Sequence, residues 1–316
     1  MQREFDVIVV GELNVDLILN ELSCHPVVGT ETLADQMKLT LGSSSAICAS
    51  NLSSLGVKVA FIGKVGDDIF GQFIIDQLNN KGVNTSMIIV DDRLETGASV
   101  ALCFDEDRAM ITHQGAMEHL LVDDITDEML KRAKHLHFSS YFLQSGFRGT
   151  LELLFQKARR LGLTTSLDVQ WDPSEKWDLD LSATLHYVDI FLPNESELRN
   201  LTGESDLNLA IDKIQMSNGY LVVKCGNRGS ILCYEDKRIK KEPFLNKYVV
   251  DAIGAGDSFN AGFICKFLNG DSPEESQVFG NLTGAISTTQ AGGTGAFTSY
   301  EEVMKVAREQ FNFIEE

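Results

Sequence analysis

Short apolar runs alternate with longer segments of helical periodicity along the whole chain. The apolar runs predict eight strands: Asp6–Val10, Val59–Ile62, Met87–Val90, His135–Phe138, Thr164–Asp168, Val188–Leu192, Tyr220–Lys224 and Ser230–Tyr234. The helical repeats predict helices at Ser43–Leu55, Asp68–Lys81, Arg148–Leu161, Glu195–Leu201, Leu207–Met216, Ser258–Leu268 and Glu274–Gln290, and from Tyr300 onward. Continuously apolar strands separated by helices are typical of a mostly parallel sheet covered on both faces. The pattern therefore predicts an α/β protein.

Two segments, residues 12–41 and 97–112, interrupt this alternation. The first shows no helical repeat, and the second alternates apolar and polar residues up to a polar turn at residues 105–107. We expect them to form a small antiparallel lid inserted into a single domain of residues 1–316. The apolar face of such a lid needs cover, which either a homodimer or a long lid folded over the site would provide.

Composition narrows the classes of function. Among 316 residues, 27 Lys and Arg stand against 46 Asp and Glu, for a formal net charge of −19. This acidity argues against nucleic-acid or membrane-surface partners, but it leaves room for a local anion pocket. The six cysteines include no C-x-x-C pair, and no apolar run reaches the length of a membrane span. We therefore expect a soluble cytoplasmic protein with reduced thiols.

The clearest chemical signal is the run from Asp251 to Asp257, Asp-Ala-Ile-Gly-Ala-Gly-Asp. Its small residues would let backbone N–H groups converge at the start of a helix, forming an anion hole. An acidic Asp257 would repel a bound phosphate, but it suits a base that takes a proton from an attacking hydroxyl. An ordinary turn with Asp257 as a helix cap explains the run about equally well.

Two further pairs of polar residues are ambiguous when taken alone. Asn14 and Asp16 flank one residue, so on an extended segment both face the same way and suit vicinal sugar hydroxyls; an exposed edge is an equal alternative. Asn194 and Glu197 follow Pro193 and are more simply explained as a helix start with Glu197 in a capping arrangement.

Residues 251–257 resemble the D-T-x-G-A-G-D signature of the ribokinase-like (PfkB) carbohydrate kinases. The segments at 11–16, 41–56, 63–71, 193–197 and 224–229 are similar to other motifs of that family, in the same order. The resemblance implies a ribokinase-like three-layer fold, in which helices cover both faces of a mostly parallel sheet that carries a small β lid. It also implies ATP-dependent transfer of the γ-phosphoryl group to a primary hydroxyl of a small carbohydrate.

The resemblance assigns roles position by position. Asp257 would be the general base, and the backbone amides of residues 254–257, with Gly254, Ala255 and Gly256, would form the anion hole. The sugar would be bound by Asn14, Asp16, Gly42, Ser43 and Arg108. Arg108 is similar to a basic lid residue of some sugar kinases, although pairing with Asp105 or Asp107 is the simpler explanation.

The same resemblance implies ATP and Mg²⁺ as cofactors, and a K⁺ site. Mg²⁺ and the phosphates would be organised by Asn194 and Glu197, and the nucleotide would be lined by Lys224, Gly226 and Gly229. A monovalent cation beside the anion hole would be held by Asp251, Ile253, Ser287 and Gly292.

Several departures from the family pattern leave the substrate open. Leu41 and Ala46 stand where many members have a glycine and an amide. Gln170 and Asp172 replace the amide and the arginine of a D-x-N-x-R segment, for which a structural strand end is the safer explanation. A nucleoside kinase of the same family and a non-catalytic sugar or nucleotide sensor remain alternatives. The scarcity of aromatic residues in the lid segments favours a plain sugar over a nucleoside.

Overall fold

The computed structural model describes residues 3–22, 24–104, 107–216 and 219–314, without side-chain placements for Glu21, Asp107 and Arg108. Its strands are β1 (Phe5–Val10), β2 (Asn14–Leu22), β3 (Ala34–Leu41), β4 (Val59–Ile62), β5 (Lys64–Gly66), β6 (Ile89–Asp91), β7 (Gly97–Phe104), β8 (Asp107–His113), β9 (Ala133–Ser139), β10 (Thr164–Asp168), β11 (Ile190–Phe191), β12 (Tyr220–Lys224), β13 (Ser230–Tyr234) and β14 (Lys237–Lys241). Its helices are α1 (Ser44–Ser54), α2 (Ile69–Asn80), α3 (Asp127–Leu130), α4 (Leu151–Arg160), α5 (Leu181–Leu185), α6 (Glu195–Thr202), α7 (Leu207–Lys213), α8 (Ala255–Asn269), α9 (Pro273–Ser287) and α10 (Tyr300–Phe311).

Eight strands form the central sheet in the order β14-β13-β12-β11-β10-β9-β1-β4. The six strands from β12 to β4 run parallel, and β13 and β14 add an antiparallel hairpin at one edge. The predicted mostly parallel α/β sheet is therefore confirmed. Parallel strands all end at the same edge, so the loops that follow them converge there.

The sheet separates two hydrophobic cores. Val7 and Val9 of β1 belong to a core shared with α1, α8 and α9. Ile8 and Val10 of the same strand belong to a second core on the opposite face, shared with α4. Because successive side chains of a strand point to opposite faces, burial on both sides favours apolar residues at consecutive positions. This explains the continuous apolar runs, and the layers are helix, sheet and helix.

The two segments that interrupt the alternation come together as a second sheet, in the order β3-β2-β7-β8. The lid prediction was wrong in one respect, because the central pair β2 and β7 is parallel. Both strands leave the body at the same edge, where Gly97 lies against the carbonyl oxygen of Leu13, so they run outward together. The chain then turns back toward the body in β3 after β2 and in β8 after β7, and each returning strand pairs antiparallel with the strand before it. Of the predicted polar turn, residues 105 and 106 lie outside the described residues.

Other differences concern short or highly charged elements. The strand predicted at Met87–Val90 lies at Ile89–Asp91, where it pairs with β5 in a small separate sheet. Strand β14 was missed because its sequence, Lys-Arg-Ile-Lys-Lys, has one apolar residue and shows no apolar run. Such a charged sequence is tolerated in an edge strand. Helix α8 begins at Ala255, three residues before its predicted start, so the Gly-Ala-Gly turn is itself the helix N-terminus.

Candidate active site

The N-terminus of α8 lies at the carboxyl edge of the sheet, close to the ends of β10 and β12. Gly254 caps it with a φ of 73°, a left-handed conformation that favours glycine. A Cβ at Gly254 would also lie 2.6 Å from the Cα of Gly293, so the turn admits no side chain. The first N–H groups of a helix have no partner within it and carry the positive end of the dipole. The start of α8 thus has the polarity that an anion hole needs, and its use as an anion hole stays a prediction.

Lys224 brings a cation to this helix end. It lies at the end of β12, and its Nζ is 3.6 Å from the position that a Cβ at Gly256 would occupy. The ammonium group also lies 2.7 Å from Oδ2 of Asp168 and 3.3 Å from Oδ1 of Asn260. Because burial of Lys224 is offset by Asp168 and Glu197, its pKa is raised and the side chain stays charged.

Asp257 lies in the first turn of α8 and is buried. Its Oδ1 accepts a hydrogen bond of 2.9 Å from Nε2 of Gln170. Burial raises the pKa of Asp257 well above its usual range, with a further contribution from the negative charge of Asp168, while Lys224 acts in the opposite direction. A buried carboxylate with a raised pKa is suited to accept a proton near neutral pH.

Asp168 is the centre of the polar network beneath Asp257. It is completely buried at the end of β10. Its Oδ2 accepts hydrogen bonds from Lys224, from Asn260 and, at 3.0 Å, from Nε2 of Gln170. These donors offset the cost of burying a carboxylate. The sequence reasoning treated this segment as a structural strand end and missed its place in the site.

The predicted acceptor residues meet where the lid joins the body. Nδ2 of Asn14 donates to Oδ1 of Asp16 at 2.9 Å and to Oγ of Ser99 at 3.2 Å. A Cβ at Gly42 would lie 2.4 Å from Oδ1 of Asp16 and 2.5 Å from Nδ2 of Asn14. Glycine at 42 is therefore what allows the chain to pass the pair of polar side chains.

Ser43 and Arg108 were also predicted to bind the sugar, but their surroundings differ from those of Asn14 and Asp16. Ser43 caps α1, because its Oγ accepts from the backbone N–H of Ala46 and donates to the carbonyl oxygen of Glu12. The hydroxyl is thus occupied within the protein. Arg108 pairs through its backbone with Cys103 on the lid, but its side chain lies outside the described part of the structure.

A buried carboxylate that the sequence analysis left without a role lies beneath these residues. Glu12 connects β1 to β2 and accepts hydrogen bonds from the hydroxyl and, at 3.3 Å, from the backbone N–H of Ser45. Burial raises the pKa of Glu12. Its only sequence signal was its position between Gly11 and the Asn14–Asp16 pair.

Asn194 and Glu197 form the capping box that the simpler interpretation predicted. Asn194 accepts from the backbone N–H of Glu197 at 2.9 Å, and Glu197 accepts from the backbone N–H of Asn194 at 2.8 Å. Burial, together with the charge of Asp168, raises the pKa of Glu197 to about 7, although Lys224 lowers it. Capping does not exclude a role in the cleft, because Glu197 and Lys224 interact electrostatically.

Gly226 and Gly229 lie in the turn between β12 and β13 and have φ values of 57° and 80°. A Cβ at Gly229 would lie 2.0 Å from the carbonyl oxygen of Lys241. The packing of the hairpin is therefore sufficient reason for glycine at 229. Gly226 has open space around its Cα, so nothing within the protein prevents a ligand from approaching it.

The four residues predicted to hold a monovalent cation come together beside the anion hole. Asp251 accepts from the backbone N–H of Ile253 through Oδ1 and from that of Gly292 through Oδ2, both at 2.9 Å. The hydroxyl of Ser287 lies 3.5 Å from the carbonyl oxygen of Ile253. Asn51 secures the same loop by donating to the carbonyl oxygen of Gly293 and to Ser258, both at 2.9 Å, so it has no part in the acceptor site.

Acidic side chains outnumber basic ones among the described residues around Asp257. Asp168, Glu197, Asp257 and Glu12 are buried carboxylates, whereas Lys224 is the cation that lies among them. No group of three or more His, Cys, Asp or Glu residues within the described ranges could hold a metal ion by itself. This donor set fits a hard divalent cation held mainly by phosphate oxygens, with carboxylates nearby.

The chain thus combines a three-layer α/β sheet, a β lid and, at the carboxyl edge of the sheet, a helix N-terminus with a buried carboxylate. The chain matches the pfkB family carbohydrate kinase over residues 4–299. It belongs to this family and is a sugar kinase.

Three relatives illustrate the likeness. An uncharacterized sugar kinase of Archaeoglobus fulgidus is 31% identical over 74% of this chain and 92% of its own length. The 5-dehydro-2-deoxygluconokinase of Geobacillus thermodenitrificans is 26% identical over 96% of this chain and 93% of its own. The structure of Arabidopsis thaliana ribokinase with ribose and ATP superposes with a TM-score of 0.83 at 24% identity, covering 96% of this chain and 98% of that one. The predicted ribokinase-like fold is thereby confirmed.

Among the described residues, no helix has the length and apolarity needed to cross a membrane.

Proposed function

We propose that this protein transfers the γ-phosphoryl group of ATP to a primary hydroxyl of a small sugar, with Asp257 as the general base. The observation that carries the proposal is the position of Asp257, which is buried in the first turn of α8 next to the cation of Lys224. A carboxylate at an anion-binding helix end would repel a bound phosphate. Its presence there is explained if it removes the proton of the acceptor hydroxyl.

The reaction follows from this geometry. Asp257 takes the proton of the acceptor hydroxyl as its oxygen bonds to the γ-phosphorus, and the bond from phosphorus to the oxygen of the departing ADP breaks. The N–H groups of residues 254–257 and the ammonium of Lys224 stabilise the charge on the transferred group. Asp257 then releases its proton to solvent when the product leaves.

ATP would lie between the start of α8 and the turn after β12, where Gly226 leaves space for close approach. Asn194 and Glu197 would help to hold Mg²⁺, which when bound supplies positive charge that offsets the charge of the phosphates. Asn194 and Glu197 would act on it through water, because their side chains already bond each other. The excess of buried carboxylates near Lys224 supports this placement.

Asn14 and Asp16 would hold hydroxyls of the acceptor, with Gly42 allowing it to approach. An acidic sugar is a strong candidate, since the Geobacillus thermodenitrificans relative is named for 5-dehydro-2-deoxygluconate, a carboxylate. Lys38 of the lid supports this choice, because its Nζ lies 4.0 Å from the position of a Cβ at Gly292, in the loop that bonds Asp251. Arg108 remains a candidate for the same contact.

The test is ADP release from ATP and Mg²⁺ with a panel of pentoses, hexoses, sugar acids and nucleosides. We expect turnover on one sugar or sugar acid, and the corresponding phosphate ester as product. Turnover only on a nucleoside would retain the mechanism but replace the acceptor. ATP binding without turnover on any acceptor would contradict the proposal.

A monovalent cation site is part of the proposal. The carboxylate of Asp251 and the carbonyl oxygen of Ile253 would bind K⁺, with Ser287 and Gly292 completing the site next to the amides of the anion hole. Such a cation would stabilise the loop that forms the hole. We expect higher kcat in KCl than in LiCl at equal ionic strength, and equal rates would contradict this site.

A homodimer through the lid is also proposed. The register places Leu17, Leu39, Val100 and Ile111 on the lid face opposite Asp16. Met37 and Ile111 of that face are 71% and 67% exposed. Pairing two such faces would remove them from water.

A further inference from the structure

The side chain of Gln170 joins two carboxylates. Its Nε2 lies 2.9 Å from Oδ1 of Asp257 and 3.0 Å from Oδ2 of Asp168. A side-chain amide nitrogen carries two hydrogens, so it can donate one to each carboxylate at the same time. The ammonium of Lys224 bonds Asp168 and Asn260 instead of linking the two carboxylates.

We propose that Gln170 is a positioning residue for phosphoryl transfer, which holds the carboxylate of Asp257 in the orientation that receives the acceptor's proton. The inference rests on the proposed role of Asp257 as base. It goes beyond that role by naming the group on which the base depends, in a segment where the sequence analysis expected only a strand end.

The backbone at this position supports the inference. Gln170 has a φ of 59°, a left-handed conformation that glycine and asparagine adopt more readily than glutamine. Its backbone N–H lies 3.3 Å from Oδ1 of Asp168, so the turn itself is tied to the strand end. Asparagine would suit the backbone better, but its amide would stop one carbon short of the two carboxylates. The length of glutamine therefore matters for the bridge.

The charges around the base explain why a neutral donor is useful. Asp168 on β10, Glu12 between β1 and β2, and Lys224 on β12 act on Asp257 electrostatically, and Ser44 at the start of α1 also hydrogen-bonds it. Two of these neighbours are acids, so they favour the protonated form of Asp257. A hydrogen bond donated by Gln170 favours the ionised form, in which Asp257 can act as a base.

The deciding comparison uses Gln170→Met and Gln170→Asn. Methionine keeps the length without a donor, and asparagine keeps a donor and relieves the backbone but shortens the reach. We expect both variants to lose about ten- to a hundredfold in kcat, as for loss of a hydrogen bond to a charged group. The acid limb of the kcat/KM profile should move to higher pH, because Asp257 loses a donor to its ionised form. The KM for ATP should change by less than about threefold.

A merely structural role for Gln170 predicts different results. Gln170→Asn would then have the kcat of the wild type, because asparagine adopts the left-handed backbone more readily. Neither variant would move the acid limb of the kcat/KM profile. Those results would overturn the proposal. Glu175→Asn is the matched control: Glu175 is exposed in the same segment with a φ of 56°, so this variant should keep wild-type kinetics.

Asp257→Asn separates failure of the bridge from failure of the proposed function. If Asp257→Asn has the kcat of the wild type, Asp257 is not the general base, and the proposed role of Gln170 is wrong as well. If Asp257→Asn is nearly inactive while both Gln170 variants retain wild-type kcat and pH profile, only the bridge is wrong. In the Asp257→Asn background, we expect Gln170→Met to cost far less than it does in the wild type.

Discussion

Gly42→Ala probes the acceptor site through a steric change with little effect on the fold. The added Cβ would lie 2.4 Å from Oδ1 of Asp16 and 2.5 Å from Nδ2 of Asn14. Ordinary contacts begin near about 3.5 Å, so each side-chain end must move by about 1 Å. Both atoms are ends of side chains that can rotate, and Gly42 is absent from the residues with positive φ. The protein should therefore fold normally.

The displaced side chains would lose hydrogen bonds to the acceptor. Two hydrogen bonds of about 0.5–1.5 kcal/mol each correspond to a loss of about 5- to 150-fold in kcat/KM for the acceptor. We expect the KM for ATP to stay within about threefold and the Tm within about 2 °C. Steady-state kinetics with each substrate varied in turn, together with a thermal melt, would measure both.

The double variant with Asp16→Ala is the control for this prediction. If Gly42→Ala acts by displacing Asp16, it should cost less in the Asp16→Ala background than in the wild type. A folded Gly42→Ala variant with unchanged acceptor kinetics would refute the reasoning, because the pair of Asn14 and Asp16 could then not be the place where the acceptor binds.

Three other predictions concern stability and assembly. Lys224→Met should lower the free energy of unfolding in urea by about 3–5 kcal/mol, because it leaves Asp168 buried without its cation; an unchanged free energy of unfolding would contradict this. Burial lowers the pKa of His135 to about 3 and that of His137 to about 4. Below about pH 6.5 the unfolded chain therefore binds more protons than the folded protein. As the pH is lowered from about 6 to about 4.5, the free energy of unfolding should fall by about 1.4 kcal/mol per pH unit for each histidine. A His137→Gln variant with the same pH dependence as the wild type would contradict this. Sedimentation at micromolar concentration should show a dimer that Met37→Lys on the lid dissociates, and a monomeric wild type would exclude the dimer.

Strands β4 and β12 were predictable because burial on both faces favours apolar residues at consecutive positions. Strands β10 and β13 also have the predicted bounds, although β10 buries Thr165, Ser166 and Asp168 beside a single leucine. Strand β14 escaped prediction because an edge strand is solvated and tolerates charge at most of its positions. The parallel pairing of β2 with β7 depends on where these two distant segments leave the body of the protein. The local pattern of apolar and polar residues does not predict that position.

The site was predictable where a motif restricts the backbone. The small residues at 254–256 predicted a helix start, and the structure has the N-terminus of α8 there; anion binding at this end stays a prediction. Gln170 and Asn260 were missed as parts of the site because their importance arises from contacts between the end of β10 and α8, where Gln170 bonds Asp257 and Asn260 bonds Asp168. Their types alone fit any solvated turn or helix. Resemblance of the 168–172 segment to a family motif was the one available signal.

Asp257→Asn provides the most direct test of the central claim, that this carboxylate is the base for phosphoryl transfer. The variant keeps the size of the side chain and the hydrogen-bonding position opposite Gln170, so folding and ATP binding should be retained. We predict a loss of about 10²–10⁴-fold in kcat on the acceptor identified by the panel, with the KM for ATP within about threefold. An Asp257→Asn enzyme that binds ATP and phosphorylates the acceptor at the wild-type rate would contradict the account.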